Sequence, residues 1–348
     1  MNRSEYIRRL AEGYAQGDSV AMHEILECAM SDEEAGFILD LPATTATLAA
    51  TYGMDESAVE AKLMNLAQRG LLVRSKKGLR FPSDPATLHD VMLSSAPEFI
   101  PLGVDRAWME LYEGEGWGIQ IGTVLSTLPM PVLRTIPSQG SVGPETTLLP
   151  HEDIVTVVRA HQDLISIRNC CCRVAAKKCD HPNQVCMQFA KRAEYDLFRG
   201  SGRKVSADEA IAIAAQAGNS GLVPTVSNLS DLHQLDFICF CCGCCCLVIN
   251  PGVRVGGLQK ILAPSRYVST VDADLCNACG ECAARCVVDA IAVSEEACVA
   301  VVDRDKCLGC GACVLACPID GGIGMEVVRP PAFIPEAGLG PSSILMDM

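Results

Sequence analysis

Cys276-Asn-Ala-Cys279-Gly-Glu-Cys282-Ala-Ala-Arg-Cys286 and Cys307-Leu-Gly-Cys310-Gly-Ala-Cys313-Val-Leu-Ala-Cys317-Pro318 carry the same C-x2-C-x2-C-x3-C spacing. Each cysteine of the first run recurs 31 residues later, so the stretch is an internal repeat. With this spacing, three thiolates of each run hold one four-iron cluster and the fourth crosses to the other. That assigns Cys276, Cys279, Cys282 and Cys317 to one [4Fe–4S] cluster, and Cys307, Cys310, Cys313 and Cys286 to a second. Paired zinc sites are the competing reading, but zinc does not need a fourth cysteine at this offset in both halves.

The spacing is that of bacterial two-cluster ferredoxins. Short strands are expected around Val268–Val271, Ile291–Val293, Val299–Val302 and Met325–Val328, flanking the two cysteine loops. Cys298, outside both runs, is expected to be a buried strand thiol, and Cys28 a buried thiol likewise. Residues 268–328 hold ten acidic and three basic side chains, a charge suited to docking on a basic protein surface.

The whole chain of 348 residues is 49% hydrophobic, long enough for two or three domains with cores, and its net charge of −14 makes it a poor general nucleic-acid binder. The first residues, Met-Asn-Arg-Ser-Glu-Tyr, show no apolar signal segment. The most apolar stretch, Ile119 to Leu133, is broken by Pro129 and Pro131, so no membrane span is expected. The 21 cysteines of a chain in reducing cytoplasm therefore read as metal ligands rather than disulfides.

Before the repeat, a helix is expected over residues 4–16, capped by Ser4. One helix ending at Pro42, a second over Thr44–Tyr52 and a third capped by Asp55 follow. Leu71-Leu72-Val73 and Leu79-Arg80-Phe81 then flank a basic hairpin tip. Helix, helix, helix, hairpin resembles a winged helix-turn-helix. Residues 31–81 carry seven acidic and six basic side chains, and the third helix opens Asp55-Glu56 and includes Glu60. Those acids would face phosphate, which favours protein docking over DNA binding. Trp108, Tyr112 and Trp117 read as core, and so does His161, at the end of a helix over His151–Gln162.

Two further cysteine sets follow. Cys170, Cys172, Cys179 and Cys186 space as C-x-C-x6-C-x6-C, four soft ligands for one further [4Fe–4S] cluster. Zinc is the alternative, and strand-like alternation would turn Cys171 away. Arg168 and Arg173 put positive charge nearby, which would raise the cluster's potential. Ser206-Ala-Asp-Glu209 reads as a capping box opening a helix to Ala217. Then Cys239, Cys241, Cys242, Cys244, Cys245 and Cys246 crowd into eight residues. They could form one cubane using four of them, two centres sharing the loop, or an unusual cluster, with Gly243 permitting a tight bend.

Taken together, the chain resembles a group of iron–sulfur proteins of anaerobic bacteria and archaea, the 4Fe-4S ferredoxin-type or dicluster-domain proteins. The shared pattern is a winged-helix-like N-terminus, Arg134-Thr-Ile136-Pro137, Leu149-Pro150-His-Glu152, and a segment matching Cys170, Cys172, Arg173, Cys179, Pro182 and Cys186. A Gly-Leu-Val stretch, the Ile238–Cys246 run and the ferredoxin repeat complete it. This chain departs from it in having Val287 after Cys286 where proline is usual, and Pro224 where relatives carry histidine.

The expected fold class is α+β: a winged-helix-like domain (1–82), a Pro/Gly-rich connecting region (83–150), a central α/β cysteine-rich domain (151–266), a dicluster ferredoxin domain (267–328) and an extended arm (329–348). The arm, with its prolines, reads as disordered or laid on a partner, and could join copies into a homo-oligomer. The expected function is multi-cluster electron transfer: low-potential electrons pass between a donor and a partner oxidoreductase, in the cytoplasm. No Gly-x-Gly-x-x-Gly, Walker loop or nucleophile elbow offers another cofactor or reaction. One alternative is an enzyme reducing a substrate at the Cys239–Cys246 centre. The other is a redox-responsive DNA-binding regulator.

Overall fold

The computed structural model describes residues 3–337. The N-terminal part is a helical bundle. Helices Arg3–Gly13, Val20–Ala29, Asp32–Leu39, Thr45–Tyr52 and Glu56–Gln68 precede a hairpin of β1 (Val73–Ser75) and β2 (Gly78–Arg80). Ser31 caps its helix in a full box with Glu34, and Thr44 accepts the Thr47 N–H. Asp55 stands at the start of the fifth helix but makes no side-chain cap bond. The first helix begins at Arg3, so Ser4 lies within it.

Residues 83–150 are not a connector. Helices Pro85–Leu93, Val104–Met109 and Trp117–Leu125 lie here. They bury Leu88, Met92, Trp108 and Trp117 in the same core as Ile25, Phe37 and Leu66. Two of these helices start from glycines in left-handed backbone, Gly103 and Gly116, which is why the stretch reads as broken in sequence.

The middle of the chain is a seven-stranded sheet of β3 (Leu133–Thr135), β4 (Ile165–Asn169), β5 (Gln184–Phe189), β6 (Gly202–Val205), β7 (Val223–Ser227), β8 (Phe237–Cys241) and β9 (Leu262–Ala263). Their order is β6-β4-β5-β8-β7-β3-β9, antiparallel throughout except for β3 with β9. β3 thus comes from the supposed connector. Helices Ala190–Arg199 and Ala207–Asn219 pack against the sheet over a core of Ile136, Ile165, Met187, Phe189 and Ile238. The capping box at Ser206 is half made: Ser206 accepts the Glu209 N–H at 3.2 Å, while the Glu209 carboxylate bonds Arg203 instead. His161 stacks on Phe189, ring centres 4.6 Å apart.

The C-terminal module pairs β10 (Tyr267–Val271) with β13 (Ile323–Val327) and β11 (Ile291–Ser294) with β12 (Val299–Val302), all antiparallel. One-turn helices Glu281–Arg285 and Ala312–Ala316 follow left-handed Gly280 and Gly311. Cys298 is exposed, in left-handed backbone at the turn before β12, with its thiol directed at the Glu295 carbonyl. Cys28 is exposed too, so neither is the buried thiol expected.

Residues 329–337 fold back on the body rather than extending. Arg329 donates to the Ser265 carbonyl at 2.7 Å, and the Pro335 carbonyl accepts the Ser230 N–H at 2.8 Å. The rest of the arm lies outside the described residues. Among the described residues, no helix is long and apolar enough to cross a membrane.

Candidate metal centres

The repeat in the C-terminal module is structural as well as written. Asp272 Oδ1 accepts the N–H groups of Asp274 and Leu275, and 31 residues on Asp303 Oδ1 accepts those of Asp305 and Lys306. Each turn delivers a cysteine N–H, Cys276 or Cys307, back to its aspartate carbonyl at 3.0 Å. The backbone therefore enters both loops in one conformation.

Those loops line two cavities. Cys276, Cys279, Cys282 and Cys317 border one of about 320 Å³. Cys286, Cys307, Cys310 and Cys313 border another of about 340 Å³. The fourth cysteine of each run lies with the other run's first three. The surroundings differ. Cys279 is exposed, whereas Cys307 and Cys313 are buried. The second loop is sealed onto the central sheet: the Leu308 carbonyl accepts the Ser265 N–H, Ser265 Oγ donates to the Gly309 carbonyl, and the Cys310 carbonyl accepts the Ser138 N–H, at 2.7–2.9 Å. A Cβ on Gly309 would collide with Ser265 and Tyr267, so the close approach needs glycine there. Burial pushes the Cys310 thiol well up and Cys313 to about 11, and Ser269 Oγ lies 3.0 Å from Cys313 Sγ.

The central cysteines divide differently from their order in sequence. Cys179 leaves Cys170, Cys172 and Cys186 and joins Cys242, Cys244 and Cys245, whose sulfurs and its own all lie within 4.8 Å of one another. The other thiols line a third cavity of about 400 Å³: Cys170, Cys172, Cys186, Cys239, Cys241 and Cys246, with Asp90, Cys171, Arg173 and also Cys242 in its wall. The long loop is shared between two groups.

Register explains this division. Cys239 and Cys241 are two apart on β8 and face one side. The β5–β8 pairing of Met187 with Ile238 sets Cys186 next to Cys239. The β4–β5 pairing sets Cys186 opposite Arg168, two residues from Cys170. Together with Cys246, Cys172 and Cys170, these thiols border the one cavity. A helix starts at Cys171, so strand alternation does not apply there. Cys171 stays in the wall and its thiol donates to Asp90 Oδ1 at 3.2 Å.

The two arginines are not equivalent. Arg168 pairs with Asp90 at 2.8 Å and Asp196 at 3.5 Å, all largely buried, so its charge is balanced by protein carboxylates. Burial works against the Asp90 charge, but the Arg168 guanidinium holds its carboxyl below the usual range. Among the described residues, Arg173 has no carboxylate partner. It donates to the Phe240 carbonyl at 2.9 Å and points at Cys242 Sγ at 3.9 Å, while Nε and Nη2 are buried without a hydrogen-bond partner. A buried guanidinium so placed, beside close-packed thiols, fits an anionic metal–thiolate group there. In the C-terminal module the apolar neighbours are only Ile291, Ala300, Ile323 and a few others around the cysteines, a core fitting a bound cluster.

Gly243 lies in the turn expected there and also makes a close contact. A Cβ there would meet the Val287 carbonyl at 2.9 Å, so the loop between Cys242 and Cys244 lies against the residue after Cys286. Sequence reading missed Asp90, Ser269 and Gln188, whose Nε2 donates to Cys186 Sγ at 3.4 Å. None stands in a motif, and only the fold brings them to the thiols. The basic residues of the N-terminal hairpin region are partly engaged by protein: Lys62 pairs with Glu33, Arg69 with Glu34, and Arg74 lies over the Phe198 ring.

A family model described as a 4Fe-4S binding domain matches residues 300–320, which contain Cys307, Cys310, Cys313 and Cys317. The chain is an iron–sulfur protein with a 4Fe-4S binding region in a mixed helix-and-sheet fold. No curated protein and no solved structure matches it.

Proposed function

We propose that the protein is a multi-centre electron-transfer protein that serves a partner oxidoreductase. Two [4Fe–4S] clusters would be held by Cys276, Cys279, Cys282 and Cys317, and by Cys286, Cys307, Cys310 and Cys313. A third centre would be held by Cys179, Cys242, Cys244 and Cys245, and a fourth in the chamber around Cys170 and Cys239. When bound, such clusters supply one-electron couples whose potentials follow charge, hydrogen bonding and exposure.

The observation that carries this reading is the continuity of the thiol groups from surface to interior. The site at Cys279 is open to solvent, its neighbour is sealed on the central sheet, and Val287 brings that neighbour against the loop of Cys242 and Cys244. The acidic surface of residues 268–328 suits docking of a basic partner. Ser269 and Gln188 donate toward cysteine sulfur and steady its negative charge. The test is iron and acid-labile sulfide content of anaerobically purified protein, with EPR after dithionite reduction. The expected result is about sixteen irons with several coupled signals. About eight irons, with zinc in the centre, would reduce the protein to a two-cluster ferredoxin on a zinc-stapled scaffold.

A further inference from the structure

The chamber on the central sheet offers more thiols than a cube of four irons can take. Each iron of a cube is already bound by three sulfides and accepts one thiolate, so four cysteines complete it. Eight cysteines line this cavity. Cys242 is grouped with Cys179, Cys244 and Cys245, and the Cys171 thiol donates to Asp90, which leaves Cys170, Cys172, Cys186, Cys239, Cys241 and Cys246. They are not two half-sites. Two cubes would need eight donors, and the nearest other cysteines, Cys179, Cys242, Cys244 and Cys245, form their own compact group.

The six are one set by position. Sheet register sets Cys186 beside Cys239, Cys239 and Cys241 share one side of β8, and all six border one cavity. Cys171 also stands in the wall, but its thiol has a carboxylate acceptor in Asp90. Charge points the same way. Six thiolates bring two more negative charges than four, and Arg173 supplies a buried guanidinium in the same wall with Nε and Nη2 unpartnered. Arg168, by contrast, is already matched by Asp90 and Asp196.

We propose that this chamber would hold a single iron–sulfur cluster bound by all six thiolates rather than an ordinary four-thiolate cube. This rests on the reading that the central domain carries iron. It would make the chamber chemically unlike the other three sites.

The experiment uses the full chain, loaded anaerobically with iron and sulfide and examined by Mössbauer spectroscopy and EPR. Each of the six cysteines is replaced singly by alanine, and Cys171→Ala serves as the seventh-thiol control. The expected result is that all six single variants lose or alter the chamber's spectrum, while Cys171→Ala leaves it unchanged. Undisturbed signals from the C-terminal module and an unchanged far-UV circular dichroism spectrum show that each variant has folded. Should any two of the six be replaceable together with iron content and spectra unaltered, the chamber holds an ordinary cube and the proposal is overturned. A parent protein that binds iron only in the C-terminal module, about eight atoms, overturns the four-centre reading along with it. About sixteen or more irons with two dispensable cysteines overturns the six-thiolate cluster alone.

Discussion

The C-terminal module and the central chamber collect their cysteines in opposite ways. In the module, each loop supplies three of four thiols from seven residues, and a repeated aspartate turn fixes how the chain enters. In the chamber, six thiols come from the start of a helix, two neighbouring strands and a turn, spread over 77 residues from Cys170 to Cys246. The module's geometry belongs to the loop, whereas the chamber's belongs to the register of a sheet. A local site tolerates change in its scaffold. A site made by register inherits every weakness of the strands and ion pairs that hold it.

The sharpest way to break this contrast is to remove a cysteine whose spatial group differs from its neighbours in sequence. Cys317→Ala should cost the iron of the first module site and spare the second, and Cys286→Ala should do the reverse. Each loss is about four irons with one EPR component gone. Cys179→Ala should abolish the Cys242–Cys245 centre and leave the chamber's spectrum intact. Loss of the chamber signal instead would return Cys179 to the group its sequence position suggests.

A smaller effect is expected from the chamber's wall. Asp90→Ala leaves Arg168 buried beside Asp196 alone and removes the acceptor of Cys171. Breaking a buried pair from one side costs roughly 3–5 kcal/mol. Denaturant titration should show that loss, with the module's EPR signals unmoved. If the module loses its signals as well, the two regions are not independent in the way the contrast requires.

Acid should separate the regions further. Burial holds His89, packed edge-on against Trp108, down at about 4. Its unfolded pKa is near 6.5, so between those values the unfolded chain binds a proton that the folded bundle does not. Stability is therefore full above about pH 6.5 and falls as pH drops toward 4, by on the order of 3 kcal/mol. Thermal melts of His89→Gln should show a shallower acid limb than the parent, and an identical limb would remove His89 from the account.

The smallest expected effect is at the seam between the regions. Gly243→Ala forces its Cβ against the Val287 carbonyl, at a cost of about 1–3 kcal/mol. Iron content should hold, and magnetic coupling between the module and the central loop should weaken. Unchanged coupling would mean that the seam plays no part in their communication.

The two regions also differ in how legible they are. The module could be read from spacing alone, including its four strands, because a motif that fixes its own loop needs no knowledge of the rest of the fold. The three helices after Ser31 and their hairpin could be read for the same reason, through local caps and periodicity. The cysteines of the central domain were recognisable as metal ligands, but their grouping was not. Cys186 meets Cys239 only because β5 pairs with β8, a contact across 53 residues that no local pattern encodes. One local signal was present: Cys239 and Cys241 alternate as strand residues on one face, which already separates them from Cys242. The helices between residues 85 and 125 were hidden by their glycine starts, and Asp90 was hidden with them.

The exchange of fourth cysteines between the two module loops has a consequence for how the protein is made. The chamber's last thiol, Cys246, is synthesised before any part of the module, so the central domain has its full complement of cysteines early. In the module, the site begun at Cys276 lacks a donor until Cys317 emerges, after its neighbour is already complete at Cys313. The first site started is thus the last finished. A chain interrupted between residues 313 and 317 would carry one complete site beside a three-cysteine remnant, an unfilled corner exposed to oxygen at the surface of the protein. The four-cysteine set of the first module site is completed by the end of the repeat, not its beginning.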